Sequence, residues 1–202
     1  VGGLVGEQES GSIRDASVSG VMKATDDRVG GLVGDFEGDL ITGASATDLT
    51  VNGDDQIAGG LVGDLDTGLV DNSTVRNAVV NAADEVTGGL VGEIDDSSIV
   101  NSSVKNVTVL GDDDLGGLVG NVDNGSLVDS VVVDGSVNAT NGNGFDIGGF
   151  AGVVVDGSIA NASVTGVRVD GDGDTGGLVG QLGDGKDAAS ITNASVNGTV
   201  IG

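Results

Sequence analysis

The sequence predicts an all-β chain folded as a single parallel β-solenoid of seven coils. Three observations carry that expectation. The box Gly2-Gly3-Leu4-Val5-Gly6 returns at Gly30–Gly34, Gly59–Gly63, Gly88–Gly92, Gly116–Gly120 and Gly176–Gly180, with Gly148-Gly149-Phe150-Ala151-Gly152 as a variant. The first glycines lie 28, 29, 29, 28, 32 and 28 residues apart, and self-similarity at such a period marks stacked repeats. Between boxes, short runs rich in β-branched residues alternate with Gly, Asn, Asp and Ser, without a helical period.

Each coil follows from the same columns. Two residues past the first glycine stand Leu4, Leu32, Leu61, Leu90, Leu118, Phe150 and Leu178. The next column is valine except at Ala151, so the one larger Phe carries a smaller neighbour, as a shared core volume requires. A second apolar column holds Ile13, Ile41, Val70, Ile99, Leu127, Ile159 and Ile191. Five residues on come Val18, Ala46, Val75, Val104, Val132, Val164 and Val196, and a third group includes Val51, Val80, Val109, Val137, Val169 and Ile201. Three short strands per coil are expected: one around the box, one resembling Ser98–Val104, and one resembling Asn106–Val109.

Coil boundaries fall near 1–28, 29–57, 58–86, 87–114, 115–146, 147–174 and 175–202, giving one continuous domain. At ~4.8 Å per coil, the stack is a rod ~34 Å long. Turn columns Asp15, Gly43, Asn72, Asn101, Asp129, Asn161, Asn193 and Gly20, Asp48, Asn77, Asn106, Asp134, Gly166, Gly198 supply residues that tolerate left-handed backbone. Stacked Asn side chains can hydrogen-bond from coil to coil as a ladder. Extra residues at Asn138–Gly144 and around Gly183–Asp187 are expected at corners, which accept insertions. No polar cap is evident at either end, so the chain reads as a segment of a longer protein or a subunit that assembles end to end.

Composition excludes several functions. With 32 acidic and 7 basic residues the formal charge is -25, which argues against nucleic acid, whose phosphates need Lys and Arg. The absence of Cys and His removes disulfides, thiolate metal sites and imidazole chemistry. No apolar run reaches membrane-spanning length. High acidity, few lysines and small hydrophobes suggest a halophile, since ~1 M salt shortens the screening length to ~3 Å.

The repeated Gly-Gly-Leu-Val-Gly box, followed by a Ser-Ile/Val-x-Asn-Ala/Ser-Ser-Val segment, resembles the GLUG repeat over the whole chain. That motif occurs in tandem in large secreted and surface-anchored proteins of bacteria and archaea, including adhesin-like proteins and regions of some IgA-specific proteases. The resemblance implies an extracellular β-solenoid used as a stalk or display surface. It carries over no catalytic residue.

The candidate sites are carboxylates in glycine-rich corners, which suit Ca²⁺. Before the box stand Asp26-Asp27, Asp54-Asp55, Asp84-Glu85, Asp112-Asp113-Asp114, and Asp170, Asp172 and Asp174. After it come Glu7, Asp35, Asp64 and Glu93, then Glu9, Glu37, Asp66 and Asp95. The metal candidates are Asp112, Asp113, Asp114, Asp170, Asp172 and Asp174, with no cofactor required. A hydrated acidic surface is the plainer alternative. Sequons begin at eight asparagines, of which Asn138, Asn106 and Asn124 are the glycosylation candidates.

The expected function is therefore structural and non-enzymatic: a rigid acidic shaft of a surface filament, stalk or adhesin. Its expected partners are copies of itself, further domains of the same chain, or surface glycans. The alternative is a glycan- or cation-binding surface module, and behind that a carbohydrate-active β-helix enzyme.

Overall fold

The structure is a computed structural model that describes residues 1–25, 28–54, 57–83, 85–140, 145–184 and 188–202. Its elements are strands, and all pair in parallel. The long sheet stacks seven: Ser17–Ala24, Ser45–Gly53, Thr74–Ala82, Ser103–Gly111, Val131–Ala139, Ser163–Asp170 and Ser195–Ile201. The short sheet has six, Arg28–Gly30, Ile57–Gly59, Thr87–Gly88, Asp114–Gly116, Asp146–Gly148 and Asp174–Gly176. A twelve-stranded sheet follows the boxes. In the early coils it is built from pairs such as Val91–Asp95 and Ser97–Val100, which fuse into the single strands Val119–Val128 and Ala151–Ala160 further on.

Register is one coil per step. Val62 pairs with Val91 and Val91 with Val119 in the box sheet, and Val80 with Val51 and Val109 in the long sheet. Apart from register shifts after Val18, around Asp123 and after Thr165, paired residues lie over their equivalents in the neighbouring coil, and the apolar columns become continuous ranks inside the three sheets. Leu32, Leu61, Leu90, Leu118 and Phe150 are fully buried, as are Phe36 and Leu65. Phe150 and Ala151 both sit at zero exposure, so the paired volume change is a packing fact.

The chain divides differently from the three expected segments. The box turns a corner between two strands: its first glycine ends a short-sheet strand, as in Thr87–Gly88, and its last two residues open a box-sheet strand, as in Val91–Asp95. At each box one carbonyl accepts two N–H groups: the Leu118 oxygen takes Leu90 N–H at 2.8 Å and Val91 N–H at 3.1 Å. Such tight convergence leaves no room for a side chain. A Cβ on Gly88 would lie 1.7 Å from the Val91 oxygen, and one on Gly60 would lie 2.2 Å from the Gly89 oxygen.

The second expected segment also breaks. Asn101, at φ 52°, turns the chain between Ser97–Val100 and the long sheet. The third expected segment is no separate strand. Asn106, at φ 54°, instead kinks the continuous strand Ser103–Gly111. Hydrophobic alternation continues through both places, which is why the sequence alone misplaced the breaks. The first turn column itself is left-handed in all seven coils, from Asp15 to Asn193.

Close backbone approach at the box predicts a sharp contrast between two glycines. Gly88→Ala should lower unfolding free energy in urea by about 2 kcal/mol or more. Gly6→Ala should change it by less than ~0.5 kcal/mol, because nothing lies within 4 Å of its Cβ position. Equal losses in the two variants would refute the packing role assigned to the box.

Candidate functional site

Parallel stacking turns every repeated carboxylate into a rank of like charges. Glu7, Asp35, Asp64 and Glu93 are register partners along the box sheet. Two residues further along the strand, Asp95 stacks on Asp123. Arg28 reaches across the corner to this rank. Its Nη1 donates to Asp35 Oδ2 at 2.8 Å, and its Nε lies 2.5 Å from Asp64 Oδ2. Desolvation lowers the Arg28 pKa, but Asp64, Asp35 and Asp66 outweigh it, so the guanidinium is held charged.

Asp64 is nearly fully buried, and burial is the main reason its pKa rises to about 7. Arg28 pulls the other way, while Glu93, Asp66 and Asp35 add to the rise. One cation thus serves a rank of carboxylates and cannot offset the desolvation of its most buried member. Glu93 is raised for the same first cause.

A second rank opens the short sheet. Asp114, Asp146 and Asp174 stack directly in register. Burial, then Asp146, Asp113 and Glu93, lift Asp114 to about 7. Asp146 is raised by burial, then by Asp174 and Asp113. The same column in the earlier coils holds Arg28 and Ile57, so the acidic rank belongs to the later half of the stack.

These positions sort the sequence candidates. Asp114 and Asp174 share a column through Asp146, which the sequence reading passed over although it stands two residues before its box. Asp170 lies on the long sheet, where Arg168 donates to its Oδ2. Asp172 is exposed, and the Thr140 hydroxyl donates to Asp112. Among the described residues, the carboxylates that converge within 4.8 Å of one another are Asp35, Glu37 and Asp66, none of them among the six metal candidates. Asp26, Asp27, Asp55, Asp84 and the corner insertions at 141–144 and 185–187 lie outside the described residues.

The ladders are present. Asn106 Nδ2 donates to Asn77 Oδ1 at 3.0 Å and Asn77 Nδ2 to Asp48 Oδ1 at 3.1 Å. Asn193 donates to Asn161 at 2.7 Å and Asn161 to Asp129 at 2.8 Å. A buried serine ladder had no signal in the apolar pattern. Ser73 N–H donates to Ser102 Oγ, and Ser102 N–H to Ser130 Oγ, each at 3.2 Å.

These bonds occupy the glycosylation candidates. Asn106 and Asn124 are exposed, but their Nδ2 groups donate to Asn77 and Asp96. Asn138 is half-buried in its strand and donates to Ser136 Oγ at 3.1 Å. A cavity of about 350 Å³ on the outer long sheet is lined by Thr165, Gly166, Val167, Arg168, Asn197, Gly198 and Thr199, with no carboxylate.

Stacked coils, a glycine corner in each and side-chain ladders between them define the class of repeat-built parallel β-solenoids. Within it, residues 171–201 match the family model of the GLUG motif, which supports reading the chain as a GLUG-repeat protein. Two solved structures share the fold. One is an IgA1 protease, 24% identical with a TM-score of 0.60 over 89% of this chain and 15% of that one. The other is a candidate immunoglobulin A1 protease from Bacteroides ovatus, 18% identical with a TM-score of 0.65 over 96% of this chain and 61% of that one. The chain therefore spans a small part of the first and about three-fifths of the second. No curated protein matches it.

Two expectations follow from the ranks. Asp64 and Asp114 hold their protons up to about pH 7, against 3.8 for the free group. The folded state therefore takes up protons first, and stability should rise as pH falls from above 7 toward ~5. Denaturant midpoints at fixed ionic strength measure this, and Asp114→Asn should reduce the slope; a flat profile in the parent chain would contradict the assignment. Independently, raising NaCl from ~0.1 to ~1 M, which cuts the screening length from about 10 to about 3 Å, should raise Tm.

Proposed function

We propose that the chain is a rigid, acidic shaft of an extracellular or cell-surface protein, a structural scaffold with no catalysis of its own. The observation that carries this reading is the unbroken parallel stack, seven strands deep in the long sheet. Continuous hydrogen bonding along the axis resists bending, and the buried ranks tie each coil to the next. The GLUG match and the protease-like β-solenoid neighbours support a secreted or surface setting. Excess carboxylate supports a protein kept soluble in brine.

The outermost coils support stacking as the mode of partnership. Leu4 is 57% exposed and Val196 46%, yet both belong to columns buried in inner coils. A further coil, from the same chain or from a second copy, covers them in this reading. Small-angle scattering should return a rod-like profile whose length grows with concentration if copies stack. Leu4→Asp should abolish the growth while leaving the rod. A compact or flexible profile at every concentration would end the shaft reading.

A second reading, cation binding, draws on the convergence of Asp35, Glu37 and Asp66. Oxygen ligands of this kind suit Ca²⁺. Melts with and without CaCl₂ at matched ionic strength should show a rise in Tm that Glu37→Gln removes. No shift in the parent chain would close this reading.

A further inference from the structure

The charge of the rod is distributed unevenly among its faces. The seven strands of the long sheet carry four cations, Lys23, Arg76, Lys105 and Arg168, against three carboxylates, Asp48, Asp134 and Asp170. Those strands therefore carry a net +1 (four cations less three carboxylates), and the rest of the chain carries -26, for a total of -25. Near its middle, Arg76 and Lys105 are direct register partners on adjacent strands. Both are exposed, and among the described residues neither has an ion pair or a side-chain hydrogen bond.

Two like charges held opposite each other in a sheet are destabilising. Here they also stay unpaired in a chain with 32 acidic residues. The nearby Asp48 accepts from Asn77 through Oδ1 within the ladder and makes no ion pair with either cation among the described residues. Around the pair, the same face presents the hydroxyls of Thr47, Thr50, Thr108 and Ser136, and Val79 at 38% exposure.

We propose that this face binds an acidic polysaccharide, with Arg76 and Lys105 receiving uronic-acid carboxylates. A guanidinium presents a planar fork that matches a carboxylate, and an ammonium serves as a point charge beside it. Arg76 and Lys105 stand one coil apart, ~4.8 Å along the axis, between Thr47 and Val133 of the neighbouring coils, a step close to that of successive sugar rings in an extended chain. Thr and Ser hydroxyls suit sugar hydroxyls, and Val79 offers an apolar contact beneath a ring. A peptide is disfavoured, because sheets capture peptides through open edges and this is the middle of a paired sheet. Single-stranded nucleic acid is disfavoured because the strands of this sheet hold no aromatic side chain on which a base could stack. The inference stands apart from the shaft reading, since a face can bind whether or not the rods assemble.

The test is calorimetric titration of the 202-residue chain with polygalacturonate, its fully methyl-esterified form and poly-L-glutamate at low salt. The expected result is binding of polygalacturonate alone, weakened by added salt. The Arg76→Ala/Lys105→Ala double variant should bind about tenfold more weakly or worse, whereas Arg14→Ala, on a different sheet, should bind normally. Both altered side chains are exposed, and an unchanged melt confirms that the double variant folds. Equal binding of the esterified polymer, preference for poly-L-glutamate, an unaffected double variant, or no binding at all would overturn the proposal. A concentration-dependent dimer abolished by the same double variant would also overturn it, by assigning the face to a second copy.

Discussion

Everything in this structure depends on one constraint: each residue is stacked in parallel register on its own equivalent one coil away. A globular core lets unlike side chains meet, but a solenoid makes each position its own neighbour. Small aliphatic residues satisfy that rule easily, because a column of valines packs against itself in good rotamers. Phe150 satisfies it only beside Ala151, with both fully buried. The same rule is favourable for Asn and Ser, which carry both donor and acceptor, and unfavourable for Asp and Glu, which when ionised carry acceptors alone.

Electrostatics of the rod follow from that asymmetry. Carboxylates in register cannot solvate one another, so burial drives Asp64 and Asp114 toward neutrality. Arg28 relieves one rank by reaching two carboxylates from the short sheet. On the long sheet the left-handed column at Asp48, Asn77 and Asn106 kinks each strand, and pairing skips that one residue and resumes in the same register beyond it. Different faces of one regular fold thus acquire different chemistry while the backbone remains the same.

Much of the fold was legible in the sequence because period and column identity survive any uncertainty about where strands end. Coil stacking, the left-handed Asx positions and the Phe150–Ala151 exchange all follow from aligning the boxes. Strand boundaries did not, since apolar alternation runs through the corner at Asn101 and the kink at Asn106. The sites were less legible. Arg28, Asp35 and Asp64 meet across a corner, and linear spacing carries no signal for that meeting. Asp146 escaped notice because no run of acids surrounds it, although its offset from Gly148 places it in the column of Asp114. Ser73, Ser102 and Ser130 look like ordinary turn residues until burial shows them inside the stack.

The asparagine ladders also have a direction. In each, the amide nitrogen of a later coil donates to the oxygen of an earlier one, and the earliest member is an aspartate: Asp48, Asp129 or Asp96. A carboxylate can close such a series but cannot extend it, for it has no N–H to pass on. Asp134, in the column of Asn106, ends the first ladder on its later side for the same reason. The coils are therefore not interchangeable beads. Duplicating a coil that carries Asn lengthens a ladder, whereas duplicating one that carries Asp starts a new one, so the order of repeats along the gene is written into the hydrogen bonds of the rod.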